Sequence, residues 1–380
     1  MNRKPKIFSF FSGAGFLDLG FERSGYDIVF TNEVHQPFME AYKFSRAKLG
    51  MEPPQYGYYE GDITTLTQTE GKNYLSELVD KSKKEGIVGF IGGPPCPDFS
   101  VGGKNKGGTG ENGRLTATYI ELIRQQTPDF FVFENVKGLW RTKKHRIFYE
   151  EMKTILHSSG YITTEKLINA LEYGAPQHRE RIIMIGFKKE MLGNLGTKDI
   201  LEGTSIKEDA FPWEKNIKYS INEINNIIWP EVDKYNENST TQPPNNIIEE
   251  LTVEHWFRKN QVYQHPNNKK YFQPKAGLIK FQSIAEGDVS KKSYKRLHRW
   301  RYSPTASYGN NEVHIHPYKS RRISVSEALA IQSLPKEFVL PQDMTLTNSF
   351  KTIGNGVPYV ASYGIANTIL DFLNILDVLK

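Results

Sequence analysis

An α/β fold built on a doubly wound, mostly parallel sheet is predicted by two features of the chain. Short apolar runs bounded by Gly, Pro or acidic residues alternate with segments of helical spacing through the first half. Residues with chemical potential also recur just past the ends of those runs, where ligands bind in such sheets.

The expected strands are residues 7–11, 28–31, 86–91, 130–133 and 181–187, each a short apolar run suited to a strand buried on both faces. Between them, residues 18–24, 36–49, 71–85, 115–126 and 148–160 carry helical spacing. From 188 to about 301 the pattern dissolves into polar, irregular sequence, including DKYNENSTTQPPNN at 233–246, an exposed loop by composition. Order returns at Ser324-Val325-Ser326-Glu327, a capping box ahead of the apolar run 328–334 and a stop at Pro335. Residues 357–379 read as a helix that packs onto something larger.

With 380 residues the chain exceeds one small core and is expected to form two or three packed units. Its 24% charged, 38% hydrophobic and 12% aromatic residues exclude a disordered or membrane-embedded class. No apolar run approaches the ~20 residues needed to span a bilayer, and the N-terminus leads into a strand, so a cytoplasmic location is expected. The single cysteine, Cys96, forms no intrachain disulfide and no multi-thiolate zinc site, so its importance would be chemical. A net charge of +6 with pI near 9.0 fits a polyanionic partner and equally fits proteins with none.

After the first expected strand comes Phe11-Ser12-Gly13-Ala14-Gly15, a turn whose amides can approach a ligand at a helix N-terminus, and Glu33 follows at the spacing of an acid that binds ribose hydroxyls. Asp18 stands where the third glycine of a dinucleotide fingerprint would be, which favours a phosphate-free adenosyl cofactor; a merely structural glycine turn is the plain alternative. Asp62 suits an adenine amino group or a helix cap. Cys96 lies in GGPPCPDFS, a rigid loop at a strand end that suits a nucleophile, against the common fate of an inert buried thiol. Glu134-Asn135 offers a carboxyl for proton work. Arg179 and Arg181, alternating in QHRER, would point to one side and neutralise an anion, or form a solvated face. The segment KKSYKRLHRWR at 291–301 interleaves cations with aromatic rings, as surfaces that track a nucleic-acid backbone do, or as a solvated basic face does.

FFSGAGFLDLGF, GGPPCPDFS, FENV, QHRER, RRISVSEALAIQSLP and IGNGVP occur in the order seen in cytosine-C5 DNA methyltransferases, and the chain resembles that family, in its bacterial restriction-modification form, over residues 7–187 and 303–370. The resemblance implies a Rossmann-like catalytic domain binding S-adenosylmethionine, without a metal, over 1–187 and completed by 345–380. A smaller, irregular target-recognition domain would span 188–344. It implies Phe11, Gly13 and Gly15 in the cofactor pocket, with Glu33 on the ribose, Asp62 on the adenine, and Asn355 and Val357 completing it. Cys96 would be the nucleophile, Glu134 the group at cytosine N3, and Arg179 and Arg181 contacts to a flipped nucleotide and its phosphate. Ser100, Gln177, Lys291, Lys292, Lys295 and Arg296 are the expected DNA contacts.

Double-stranded DNA is the implied partner, with a cognate restriction endonuclease in the same system and a monomeric enzyme. Two positions depart from the family pattern: Phe16 where a second glycine is frequent, and Pro97 where a glutamine is frequent. Rival readings are methylation of transfer RNA, a non-catalytic nucleic-acid-binding regulator, and an NAD-dependent dehydrogenase resting on Gly13, Gly15 and Glu33 alone.

Overall fold

The computed structural model describes residues 4–95, 111–193, 200–274, 277–306, 308 and 312–379. Its frame is a nine-stranded sheet of order β3-β2-β1-β4-β5-β7-β6-β9-β8. The strands are β1 (Lys6–Phe10), β2 (Asp27–Asn32), β3 (Tyr58–Tyr59), β4 (Val88–Gly92), β5 (Phe130–Val136), β6 (Tyr161–Asn169), β7 (Glu180–Lys188), β8 (Leu201–Glu202) and β9 (Ser205–Ile206). β3, β2, β1, β4 and β5 run parallel, whereas β7 is antiparallel to both β5 and β6. All five residues of β4 are buried, as a central strand covered on both faces requires.

Helices α1 (Phe16–Arg23), α2 (Gln36–Lys48), α3 (Thr69–Glu85), α4 (Glu111–Gln126), α5 (Lys137–Arg141) and α6 (Lys143–Ser158) connect the strands. The later chain adds α7 (Ile221–Asn226), α8 (Val253–Lys259), α9 (Leu278–Ser283), α10 (Val325–Ile331), α11 (Leu346–Asn355) and α12 (Tyr359–Ile375). On one face of the sheet, Phe21, Ile91, Val132 and Ile185 pack with Ile365, Ile369 and Phe372 of α12. On the other, Phe8, Phe90 and Phe131 pack with Leu75 of α3, Ile123 of α4 and Leu156 of α6. The expected C-terminal helix is therefore α12, and what it packs onto is the sheet and α1. The approach is close: a Cβ on Gly20 of α1 would lie 2.2 Å from Ser362 Oγ.

The expected capping box is present, with Ser324 and Glu327 exchanging side-chain and backbone hydrogen bonds at the start of α10. A second core joins Ala14, Phe16, Leu19, Phe38 and Ala41 of the N-terminal part to Val253, Trp256, Leu329, Phe338 and Ile353. The polar stretch after 188 is also less separate than its composition indicates. β9 and β8 extend the sheet edge, and Phe211 and Trp213 belong to the core beneath α12. β6 is absent from the expected strands because Thr163-Thr164-Glu165-Lys166 breaks the apolar run, yet it pairs with β7 along its whole length. Among the described residues no helix is long and apolar enough to cross a membrane.

Candidate active site

Past the end of β1 the chain makes a sharp turn with Phe11 at φ 54°, Gly13 at 56° and Gly15 at 79°. Left-handed geometry is natural for the glycines and costs Phe11 roughly 1 kcal/mol. Gly15 is the N-cap of α1. The turn is tied to the end of β2, where the Gly13 amide donates to Glu33 Oε2 at 2.9 Å and the His35 amide to Glu33 Oε1 at 2.8 Å. Burial pushes the Glu33 carboxyl above its usual range, while those amide bonds pull it back. Asn32 Nδ2 donates to the carbonyls of Tyr59 at 3.1 Å and Gly61 at 2.8 Å, drawing the Asp62 loop against the same strand end. Asp62 accepts from the Thr64 amide at 2.8 Å, so it caps the short 3-10 turn Ile63–Thr67.

The C-terminal segment meets this turn through Phe16 and Gly356, where a Cβ on Gly356 would lie 2.2 Å from the Phe16 ring. Phe16 thus points away from the turn into the second core, its ring edge-on to Phe338 at 5.2 Å. Asn355 is exposed at the end of α11. Val357 is only 4% exposed and belongs to the core beneath α12. Val34, which the sequence reading did not single out, is 64% exposed immediately beside Glu33.

Glu134 lies near the end of β5, and Arg181 sits opposite Val136 on β7. Residues two apart share a sheet face, so Glu134 and Arg181 are diagonal neighbours, and Arg181 Nε lies 2.8 Å from Glu134 Oε1. A Cβ on Gly93 would come 2.5 Å from Glu134 Oε2, so the Gly92-Gly93-Pro94-Pro95 segment runs directly against this carboxylate. Cys96 and Ser100 lie outside the described residues.

Three expected contacts are placed differently by the structure. Arg179 immediately precedes β7 and has different partners from Arg181. It is 1% exposed, and its guanidinium donates to the carbonyls of Ala306 (3.3 Å), Gly354 (2.8 Å) and Asn355 (3.3 Å). It ties the C-terminal segment to the catalytic strands. Gln177 is fully buried, bonded to Gln332 at 3.3 Å and to the Ala306 amide at 3.0 Å, so it does not face DNA. Arg296 is fully buried too, donating to the carbonyls of Ile284 (2.9 Å), Lys319 (3.1 Å), His316 and Phe281. It knits its region together instead of touching a phosphate.

The segment 291–301 is therefore split. Lys291 and Lys292 are exposed and Lys295 half-buried, whereas His298, Arg299 and Trp300 are buried. Lys292 pairs with Glu312 at 2.9 Å. A second basic group is present: Arg141, Lys143 and Lys144 are exposed on α5 and the first turn of α6, closely following Glu134 in the chain. Cations at a helix N-terminus oppose its dipole, so helix stability does not account for Lys143 and Lys144.

A mostly parallel sheet carries at its strand ends a glycine turn held by a buried acid, beside a carboxylate–guanidinium pair, the place where ligands bind in α/β enzymes. The sequence profile of the C-5 cytosine-specific DNA methylase family matches residues 5–371; the chain belongs to that family and is a cytosine-C5 DNA methyltransferase. It is 57% identical over 372 residues to the Type II methyltransferase M.NmeDI of Neisseria meningitidis serogroup C, covering 98% of this chain and 84% of that one. It is 30% identical to the Type II methyltransferase M.FnuDI of Fusobacterium nucleatum, over 99% of this chain and 97% of that one. Among solved structures, a DNA modification methyltransferase encoded within an Escherichia coli prophage superposes with a TM-score of 0.63 at 21% identity, covering 98% of this chain and all of that one.

Proposed function

We propose that the protein methylates C5 of a flipped-out cytosine in a specific short duplex sequence, with S-adenosylmethionine as donor and Cys96 as covalent nucleophile, in a Type II restriction-modification system. The observation that carries this reading is the Glu134–Arg181 pair packed against Gly93, three residues before Cys96.

The strand-end residues fit an adenosyl group. The Glu33 oxygens take amide bonds from Gly13 and His35 and keep acceptor capacity for a ribose diol. Val34 offers an exposed apolar face beside it, and Asp62 and Asn355 are the further proposed contacts. When bound, S-adenosylmethionine supplies an electrophilic methyl group on a sulfonium.

Cytosine C5 is a poor nucleophile, so the residues must first raise its electron density. The Cys96 thiolate adds to C6 while Glu134 holds a proton at N3, and Arg181 fixes the Glu134 carboxylate in place. After C5 is alkylated, loss of its proton and elimination of the thiolate restore Cys96. Extracting the base from the duplex costs a few kcal/mol of stacking and pairing, to be met by contacts along the DNA. Lys291, Lys292, Lys295, Arg141, Lys143, Lys144 and Ser100 are the proposed contacts, and residues 188–344 the region that reads sequence. A cognate endonuclease, supported by the Type II names of the relatives, a monomeric state and a cytoplasmic, DNA-associated location complete the proposal.

The test uses duplex substrate with 5-fluorocytosine, whose fluorine is not eliminated from the adduct. A denaturant-stable protein–DNA species with the wild type and none with Cys96→Ser supports the reading. An equal yield with both proteins overturns the role of Cys96.

A further inference from the structure

Behind the glycine turn, on the side away from Glu33, α2 buries an arginine. Arg46 is 2% exposed, with its Nη2 2.7 Å from the Gly15 carbonyl and Nη1 3.5 Å from that of Ala14. Its Nε lies 3.0 Å from Glu22 Oε2 and its Nη2 2.8 Å from the same oxygen. The guanidinium also lies 4.3 Å over the Tyr42 ring. A Cβ on Gly15 would come within 2.5 Å of Tyr42 and 2.7 Å of Arg46 Nη2, so the turn is seated on these side chains with no room for another.

We infer that Arg46 is a positioning residue for cofactor binding, a clamp that holds the turn from behind while Glu33 holds it from the front. The inference rests on the proposed use of S-adenosylmethionine. A fully buried guanidinium is expensive to desolvate and stability alone is poorly served by it, since well-packed apolar groups of the same volume do as well or better. What apolar groups lack is a planar donor fork that engages two carbonyls and a carboxylate together. In a planar trans peptide the carbonyl and the next N–H point in opposite directions. The Gly15 carbonyl accepts both the first hydrogen bond of α1, from the Leu19 amide at 3.0 Å, and that from Arg46, so Arg46 reinforces an orientation in which the Phe16 amide is turned the other way, as is needed at the open end of α1.

The clamp is anchored at both ends. Glu22 belongs to α1, the helix the turn opens. Asp18, one turn earlier, is fully buried and accepts from Ser9 Oγ of β1 at 2.8 Å. Burial pushes the Asp18 carboxyl up to about 6, and the Arg46 charge beside it works in the opposite direction. Turn, first strand and first two helices are thereby held as one unit, so the geometry is set before a ligand arrives. Preorganisation of this kind lowers the ordering cost of binding.

The test is titration calorimetry of the full chain with S-adenosylmethionine and, separately, with its thioether product, comparing wild type, Arg46→Lys and Glu22→Gln. A lysine reaches the Gly15 carbonyl or Glu22 and not both, so Kd is expected to rise about tenfold for both ligands. KM for DNA and kcat at saturating cofactor are expected to stay within about twofold, a split that a general loss of structure would not give. Glu22→Gln, which leaves an acceptor for Arg46 without the charge, is the milder variant and is expected to raise Kd about threefold. If Arg46→Lys does not fold, Glu22→Gln decides. Wild type that binds, with a folded variant binding equally well, overturns this inference alone. Wild type that binds neither ligand overturns the cofactor reading as well.

Discussion

Replacing Gly356 by alanine tests how the chain accommodates Phe16, one of the two residues that depart from the family pattern. The new Cβ would stand 2.2 Å from Phe16 Cδ2 and 2.9 Å from two further ring atoms, more than 1 Å inside ordinary contact, which begins near ~3.4 Å. Phe16 is 2% exposed with Phe338 edge-on to it, so the ring has little room to retreat, and overpacking should cost about 1–3 kcal/mol. Phe16→Ala alone empties a buried aromatic site and should cost about 3–5 kcal/mol. In the double variant the clash disappears and the alanine methyl fills part of the hole. The two changes should therefore fall short of additivity by about 1–3 kcal/mol. For 380 residues the unfolding entropy is about 0.8 kcal/mol/K, so each kcal/mol appears as a Tm shift of roughly 1 °C. Thermal melts of the four proteins at one pH measure the cycle. Additivity within about 0.5 kcal/mol would show that Phe16 and Gly356 do not meet as described.

Two further outcomes follow from burial and charge. Arg141→Glu/Lys143→Glu/Lys144→Glu and Lys291→Glu/Lys292→Glu should each flatten the salt dependence of DNA binding, by up to about one unit of slope per lost phosphate contact. Arg296→Met should leave the slope alone and lower Tm; the reverse pattern in a filter-binding series would return Arg296 to the DNA face. His314 is 1% exposed, and burial, helped by Lys295 and Arg322, pushes its pKa down to about 3. A base depressed in the folded state contributes stability that is present above its unfolded pKa of 6.5 and is lost as pH falls toward about 3, by up to ~1.4 kcal/mol per unit. His314→Gln should therefore show a shallower fall of Tm between pH 6.5 and 4 than the wild type, and parallel curves would remove His314 from the acid response.

Local signals were legible in the sequence, and partnerships made at long range were not. β1, β2, β4 and β5 are apolar runs between turn residues, and the capping box at Ser324 is a four-residue motif, so each could be placed without knowing its neighbours. β6 could not, because its polar centre is explained by partners elsewhere: Glu165 accepts from Tyr149 at 2.7 Å and pairs with Arg146 and Lys153. Glu33 and Gly13 were found because strand-end spacing is itself the signal. The burial of Arg179, Arg296 and Arg46 was not legible, since a guanidinium is sequestered by carbonyls from distant segments, and nothing in KKSYKRLHRWR marks where its exposed half ends and its buried half begins. The same holds for Phe16, whose fit depends on a glycine at position 356.

The measurement that bears most directly on the proposed activity is bisulfite sequencing of unmethylated plasmid DNA incubated with the pure protein and S-adenosylmethionine. Cytosines protected in one short sequence context, and unprotected with Cys96→Ser, are the predicted result. Uniform conversion with the wild type, under conditions where calorimetry shows the cofactor bound, would contradict it.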